Sequence, residues 1–270
     1  MPETLKIVLA QLNPRLRGTE ENLERLREVV AANPGVDLIA FPELFLGGYT
    51  VDAVEELAVE AGGPELESIC ALAREHSTAL VFGAAERRDG GVANSAFCVD
   101  EGGDVAGVYR KIQLFGTEKE AFVAGDGLLL VDLCGIPTGV MICFDVEFPE
   151  IARSLARSGA ELLVTISANM EPFANDHAVF ASARALENGL PHAYVNQVGP
   201  GENLIFTGES ALVSADGEVL GRAGSSEESV LVVELPLPAK SSTRESYLDE
   251  LRFSAPEVEI VSSRAQVRST

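Results

Sequence analysis

Short apolar runs, bounded by turn residues and alternating with segments of helical period, most narrow the folds open to this chain. Residues 7–10 form such a run, ended by Asn13-Pro14. Thr19 is placed to cap a helix whose Leu23, Leu26, Val29 and Val30 recur at helical spacing, and Asn33-Pro34-Gly35 stops it. Residues 36–41 are the next run, closed by Pro42-Glu43. Such a strand–helix–strand unit is the building block of an α/β sheet packed under helices.

The pattern continues along the chain. Pro64, after Gly62-Gly63, opens a helix through His76, and residues 80–85 are a further strand. Residues 94–99 and 105–109 flank Asp100-Glu101-Gly102-Gly103-Asp104, a hairpin that no all-parallel sheet contains, so the sheet is expected to be mixed. Residues 128–133 and 138–142 form a second hairpin turning at Gly135-Ile136-Pro137. Pro149 opens a helix through Arg157, 161–166 is a strand, 175–188 a helix and 192–196 a strand. Residues 209–213 and 219–220 flank Asp216-Gly217 as another hairpin, and 230–235 is the last strand. The tail from Pro236 is polar and rich in Ser and Arg, and reads as an arm that packs on a partner or frays. No repeat or linker divides the chain, so residues 1–270 read as one domain with 236–270 as a C-terminal arm.

Composition excludes several functions. Lys plus Arg number 20 against 42 Asp plus Glu, a formal charge of −22 that repels phosphate backbones and anionic membranes. Neither nucleic acid nor membrane is an expected partner. Cysteines at 70, 98, 134 and 143 show no C-x-x-C spacing, and with three histidines in the chain no metal site is expected. The start, Met1-Pro2-Glu3-Thr4, has no basic region leading into an apolar segment, and no run approaches the ~20 apolar residues that span a bilayer. A cytoplasmic protein with reduced thiols is expected.

Chemistry concentrates at strand ends. In residues 139–150, G-V-M-I-C-F-D-V-E-F-P-E, a buried apolar run stops at Cys143. A thiol presented there, beside the backbone amides of the following turn, has the setting of an elbow nucleophile. It reads equally as a core cysteine, since free Cys is among the most buried residue types. Glu43 follows the 36–41 strand directly, and Lys111 ends the second hairpin strand. The three fit together chemically. A thiol is mostly protonated at neutral pH, a carboxylate can take its proton, and an ammonium can hold a tetrahedral oxyanion with the amide of Phe144. His76, His177 and His192 sit within or beside predicted elements, where structural roles are expected.

F-P-E (Phe41-Pro42-Glu43), Y-R-K (Tyr109-Arg110-Lys111) and the segment around Cys143 together resemble the three signatures of the nitrilase superfamily of carbon–nitrogen hydrolases. Asn94-Ser95-Ala96, Ser167-Ala168-Asn169-Met170 and Arg184-Ala185-Leu186-Glu187-Asn188 recur in order, and the resemblance runs roughly from residue 5 to 234. It implies an α/β fold, a four-layer α-β-β-α sandwich with two mixed sheets, and pairing into homodimers or larger assemblies. It implies Cys143 as nucleophile, Glu43 as general base and Lys111 as stabiliser of the tetrahedral intermediate, with no cofactor. A second glutamate is expected in the loop after the lysine: Glu118 matches its usual distance before the glycine, Gly125, and Glu120 is the alternative. That loop commonly closes with Pro-Gly, and here it is Ala124-Gly125.

The implied reaction is hydrolysis of a small amide to acid and ammonia through a thioester. True nitrilases resemble Cys-Trp-Glu at the nucleophile, whereas this chain has Cys143-Phe144-Asp145, which points to an amide. Branches that take carboxylate-bearing substrates commonly carry arginine four positions after the cysteine, and here Glu147 stands there. A neutral or cationic carboxamide is therefore expected, unless Glu147 is held in a structural salt bridge. Tyr49, Phe115, Phe144, Asn169 and Phe173 are candidates for the pocket wall, while Arg184, Glu187 and Asn188 read as scaffold. A nitrilase or an N-carbamoyl amide hydrolase would use the same three residues. A non-catalytic binding relative would show a damaged triad, and a glutamine-hydrolysing subunit would serve a synthetase domain that is not attached.

Overall fold

The computed structural model describes residues 3–239 together with Leu248 and Glu250. In the first half, β1 (Thr4–Gln11), α1 (Thr19–Ala32), β2 (Leu38–Ala40), the short α2 (Val54–Leu57) and α3 (Pro64–His76) lead into the long hairpin β3 (Ala79–Arg88) and β4 (Gly91–Val99). β5 (Val105–Arg110) and the short α4 (Glu118–Ala121) follow. The second half holds β6 (Leu129–Leu133), β7 (Ile136–Ile142), a 3-10 turn (Cys143–Glu147), α5 (Pro149–Arg157), β8 (Leu162–Ser167), α6 (Ala174–Asn188) and β9 (His192–Asn196). A small ribbon of β10 (Val198–Pro200) and β11 (Ile205–Thr207) precedes β12 (Ala211–Val213), β13 (Val219–Arg222) and β14 (Ser229–Pro236).

Two six-stranded sheets result, ordered β14-β1-β2-β3-β4-β5 and β13-β12-β9-β8-β7-β6. Each has three parallel central strands, β1-β2-β3 and β7-β8-β9, flanked by antiparallel neighbours. Alternation of side chains along a strand assigns the layers. On β1, Leu5, Ile7 and Leu9 face Val140, Ile142, Val164, Ile166 and Val195 of the other sheet. Val8 and Ala10 point the opposite way, onto Leu23, Leu26 and Val30 of α1 and near Ile69 of α3. Met141 and Leu163 pack outward on Ile151, Ala152 and Leu155 of α5. The layers are α-β-β-α, and each fully buried Leu or Ile contributes about 1.5–3 kcal/mol to holding them together.

Local chemistry differs from expectation at a few points. Thr19 begins α1 instead of capping it: Gly18 is the flanking residue and no side chain caps the helix. Asn22, one turn in, anchors the entry by accepting from Arg15 N at 2.7 Å and donating to Leu46 O at 2.9 Å. The β6–β7 turn is Cys134-Gly135, both at positive φ (56° and 76°), since Leu133 pairs with Ile136. Two left-handed residues match the twist of a tight hairpin, so Ile136 and Pro137 belong to the strand. The strand expected over 36–41 shortens to Leu38–Ala40, and that over 80–85 lengthens to Ala79–Arg88. The arm expected over 236–270 lies almost entirely outside the described residues.

Candidate active site

The two sheets deliver Glu43, Lys111 and Cys143 from three separate strand ends to one buried place. Glu43 follows β2 in a turn where Leu44 takes a left-handed φ of 49°. The turn sits directly on β3: a Cβ on Gly83 would come 2.3 Å from Leu44 N and 2.6 Å from Pro42 O. Only glycine permits that approach. Gln197 Nε2, from the opposite sheet, donates to Glu43 O at 2.7 Å, and Asn94 Nδ2 of β4 donates to Glu43 Oε1 at 2.7 Å.

Lys111 follows β5, its amide donating to Asn94 O at 2.9 Å. Its Nζ lies between two carboxylates, 2.7 Å from Glu43 Oε1 and 2.8 and 2.9 Å from Glu118 Oε2 and Oε1. Glu118 stands at the start of α4, its oxygens also accepting from Tyr49 Oη at 2.8 Å and Phe115 N at 2.9 Å. All three charged groups are at most 1% exposed. Glu120, the alternative to Glu118, is exposed. The loop from Lys111 closes where Gly125 N donates to Lys111 O at 2.9 Å, and a Cβ on Gly125 would meet Arg110 O at 2.2 Å.

Cys143 is the first residue of the 3-10 turn and takes φ 46°, a left-handed conformation unusual for a residue with a side chain. Asp145 braces it: Oδ2 accepts from Ile142 N at 3.0 Å and Tyr109 Oη at 2.8 Å, and Oδ1 accepts from Gln113 N at 3.0 Å. One buried carboxylate thus ties the end of β7 to the segment around Lys111. Arg184 of α6 supports the same turn by donating from Nε to Val146 O at 2.9 Å, and it pairs with Glu187. Asn188 donates to Arg184 O. These three contacts are structural.

Burial sets the protonation states. It pushes the Cys143 thiol far above its ordinary range, the nearby Glu43 charge adds to the rise, and Lys111 opposes it. Burial likewise raises the Glu43 carboxyl against the pull of Lys111. For Lys111, burial works against the charge, but Glu43, Cys143 and Glu118 outweigh it and hold the ammonium protonated. Glu43 Oε2 is buried and accepts no hydrogen bond from the described residues, so its lone pairs are free to receive a proton.

Beside Cys143 is a narrow pocket of about 20 Å³ lined by Phe115, Phe144, Glu147, Asn169, Met170, Phe173 and His177. Tyr49 does not line it. Tyr49 reaches Glu118 instead and, with Phe206, faces a wider groove of about 660 Å³ that does not include Cys143. His177, read from sequence as structural, does reach the pocket, with Nε2 3.4 Å from Glu147 Oε1. From sequence, Asn94 was noted only within Asn94-Ser95-Ala96 and Asp145 only within Cys143-Phe144-Asp145, neither with a role of its own, and Gln197 was not singled out. Among the described residues no group of three or more His, Cys, Asp or Glu could hold a metal ion, and no helix is long and apolar enough to cross a membrane.

The family model described as carbon-nitrogen hydrolase matches residues 6–245. The chain is a carbon–nitrogen hydrolase of the nitrilase superfamily. An (R)-stereoselective amidase from a Pseudomonas species is 37% identical to this hydrolase over 246 residues, 90% of this chain and 89% of that one. A nitrilase from Pyrococcus abyssi is 35% identical over 254 residues, 92% and 95% of the two chains. The amidase from Nesterenkonia sp. AN1 superposes with a TM-score of 0.81 at 30% identity, covering 92% of this chain and 94% of that one. That structure is of a glutamate-to-glutamine mutant and shows covalent addition of the acetamide moiety of fluoroacetamide at its active-site cysteine. The hydrolase described here therefore shares both sequence and architecture with enzymes that act on amides.

Proposed function

We propose that this hydrolase is a cysteine amidase that converts small neutral or cationic carboxamides to carboxylic acid and ammonia through a thioester on Cys143. The observation that carries the reading is a buried ammonium held between two carboxylates beside a thiol at a strained strand end. In this reading the thiol enters protonated, because burial raises it. Glu43 takes its proton through the free Oε2 as sulfur bonds to the amide carbon. The carbonyl electrons move to oxygen, where Lys111, fixed in the charged form, and the amide of Phe144 stabilise the oxyanion. Collapse breaks the carbon–nitrogen bond, and Glu43 returns the proton to the departing ammonia. Water, giving a proton to Glu43, then adds to the thioester; collapse releases the acid and the proton returns to sulfur. Glu118 keeps Lys111 aimed and charged.

The pocket limits the acyl group. A volume of about 20 Å³ admits roughly one water, so only a small group enters without rearrangement. Its walls are three phenylalanines, a methionine, an asparagine and the Glu147–His177 pair, with no arginine or lysine to meet a substrate carboxylate. A substrate ammonium would meet Glu147, in competition with His177. Ammonia release from matched neutral, cationic and anionic amides, with the corresponding nitriles and N-carbamoyl compounds, tests this. Turnover of neutral and cationic amides is expected, and Glu147→Gln should reduce the cationic rate selectively. Faster turnover of anionic amides, or of nitriles, would replace this assignment.

A further inference from the structure

The narrow pocket beside Cys143 and the wide groove that Tyr49 lines are separate volumes, and one small apolar cluster stands between them. Met170 and Phe115 line the pocket of about 20 Å³, while Phe206 and Tyr49 line the groove of about 660 Å³. The four pack together with Ala168 and Leu204 in a cluster distinct from the inter-sheet core. Met170 and Phe206 are both buried and are joined by an antiparallel β-bridge. The partition is therefore two side chains deep, with Met170 on the Cys143 side and Phe206 on the groove side.

The fold holds the groove side of this partition in place. Phe206 sits on β11, opposite Gly199 of β10, so the short ribbon is what presents the ring. Gly201 backs that ring closely, since a Cβ there would come 2.7 Å from it. Tyr49 meets Phe206 edge-on, with 5.8 Å between ring centroids, and its hydroxyl is tied to Glu118. Met170, an unbranched thioether with three rotatable bonds, is the adaptable member. A close-packed wall of this kind does not yield to extra methylenes without strain, so its position limits what fits beside the sulfur.

We propose that Met170 and Phe206 determine the longest acyl chain this hydrolase accepts, by closing the Cys143 pocket off from a groove with room for a longer one. The proposal rests on the amidase reading of Cys143 and names the residues behind its size limit. Short unbranched aliphatic amides such as propionamide are the class that fits in front of Met170. One methylene too many in an apolar pocket costs about tenfold or more in kcat/KM, so hexanamide should be turned over at least tenfold less efficiently than propionamide.

The test compares kcat/KM for hexanamide with that for propionamide. Met170→Ala deletes Cγ, Sδ and Cε, matching the three carbons by which hexanamide is longer, and should raise the hexanamide-to-propionamide ratio about tenfold or more. Met170→Leu, which conserves volume, should keep the wild-type ratio. The double variant Met170→Ala/Phe206→Ala joins pocket to groove and should admit octanamide as well. Folding is checked by circular dichroism, and the single Met170→Ala keeps the test decisive if the double variant is unstable. Labelling of Cys143 by iodoacetamide and by N-hexyl iodoacetamide, read at its peptide by mass spectrometry, follows the same discrimination without amide turnover. Wild-type ratios in folded Met170→Ala, in turnover and in labelling, overturn the proposal, as does a wild-type hydrolase that takes hexanamide as readily as propionamide. The amide assignment fails separately: a shifted labelling ratio in a protein that hydrolyses no amide would support the partition and remove the proposed substrate class.

Discussion

Replacing Lys111 by methionine keeps the length and apolar stem of the side chain but removes the charge between Glu43 and Glu118. The carboxylate oxygens held at 2.7 and 2.8 Å from one Nζ are no more than 5.5 Å apart (2.7 plus 2.8), and both groups are buried. At an effective dielectric of about 20, two such charges repel by about 3 kcal/mol, and removing one partner of a buried ion pair costs about 3–5 kcal/mol. The variant should therefore lose about 3 kcal/mol or more at pH 8. The pH dependence identifies the cause. With the ammonium gone, burial and the Glu118 charge raise the Glu43 carboxyl further above its unfolded value, so the folded state binds more protons than the unfolded one above about pH 4. Stability then falls as pH rises through that window and returns on acidification. Urea midpoints at pH 5 and pH 8 measure this, and Glu118→Gln on the Lys111→Met background should recover much of the loss at pH 8. A destabilisation equal at both pH values, or none, would refute the electrostatic account of the cluster.

Three further outcomes follow from other contacts. Gly83→Ala places a Cβ against the Glu43 turn, so we expect a loss of about 1–3 kcal/mol and a fall in kcat larger than any change in KM, measured by thermal melts and steady-state kinetics. Tyr109→Phe removes a donor from buried Asp145 and should cost about 1–3 kcal/mol in urea unfolding, since two backbone donors remain. His192 is held down to about 4 by burial, with its ring bonded to Thr165 and Ala181 O. Between its ordinary 6.5 and about 4 the unfolded chain binds the extra proton, so stability falls with pH across that window by about 3 kcal/mol, and His192→Gln should lack this component.

Much of this architecture was legible because the signals are local. Uniformly apolar runs mark strands buried in a sheet, and two of them end abruptly at Glu43 and Cys143, where a charge or thiol has no packing reason to follow an apolar run, while Lys111 stands at the end of the hairpin strand β5. Helices α1, α3, α5 and α6 follow from their periodicity and from proline at first-turn positions of α3 and α5. The mixed sheets were expected from the hairpins. What was hidden depends on residues far apart in sequence. Gln197 reaches Glu43 across 154 positions, and Asn94 reaches it across 51. His177 was read as structural because it lies within a predicted helix, and its place in the pocket wall near Glu147 shows only in three dimensions. Tyr49 was a candidate for the pocket wall, but the turn carrying it delivers its hydroxyl to Glu118. Thr19 had the chemistry of a cap, yet Asn22 satisfies the α1 entry from within the helix. The short β10–β11 ribbon has no periodicity long enough to announce itself.

The central claim is that Cys143 carries the acyl group while ammonia leaves. The direct measurement mixes the protein with a small carboxamide such as propionamide, quenches in acid on the millisecond scale and weighs the Cys143 peptide while ammonia is counted. The account predicts an acyl mass on Cys143, one ammonia released per acyl group formed in the first turnover, and neither product from Cys143→Ala. Ammonia released at an undiminished rate by Cys143→Ala would contradict it.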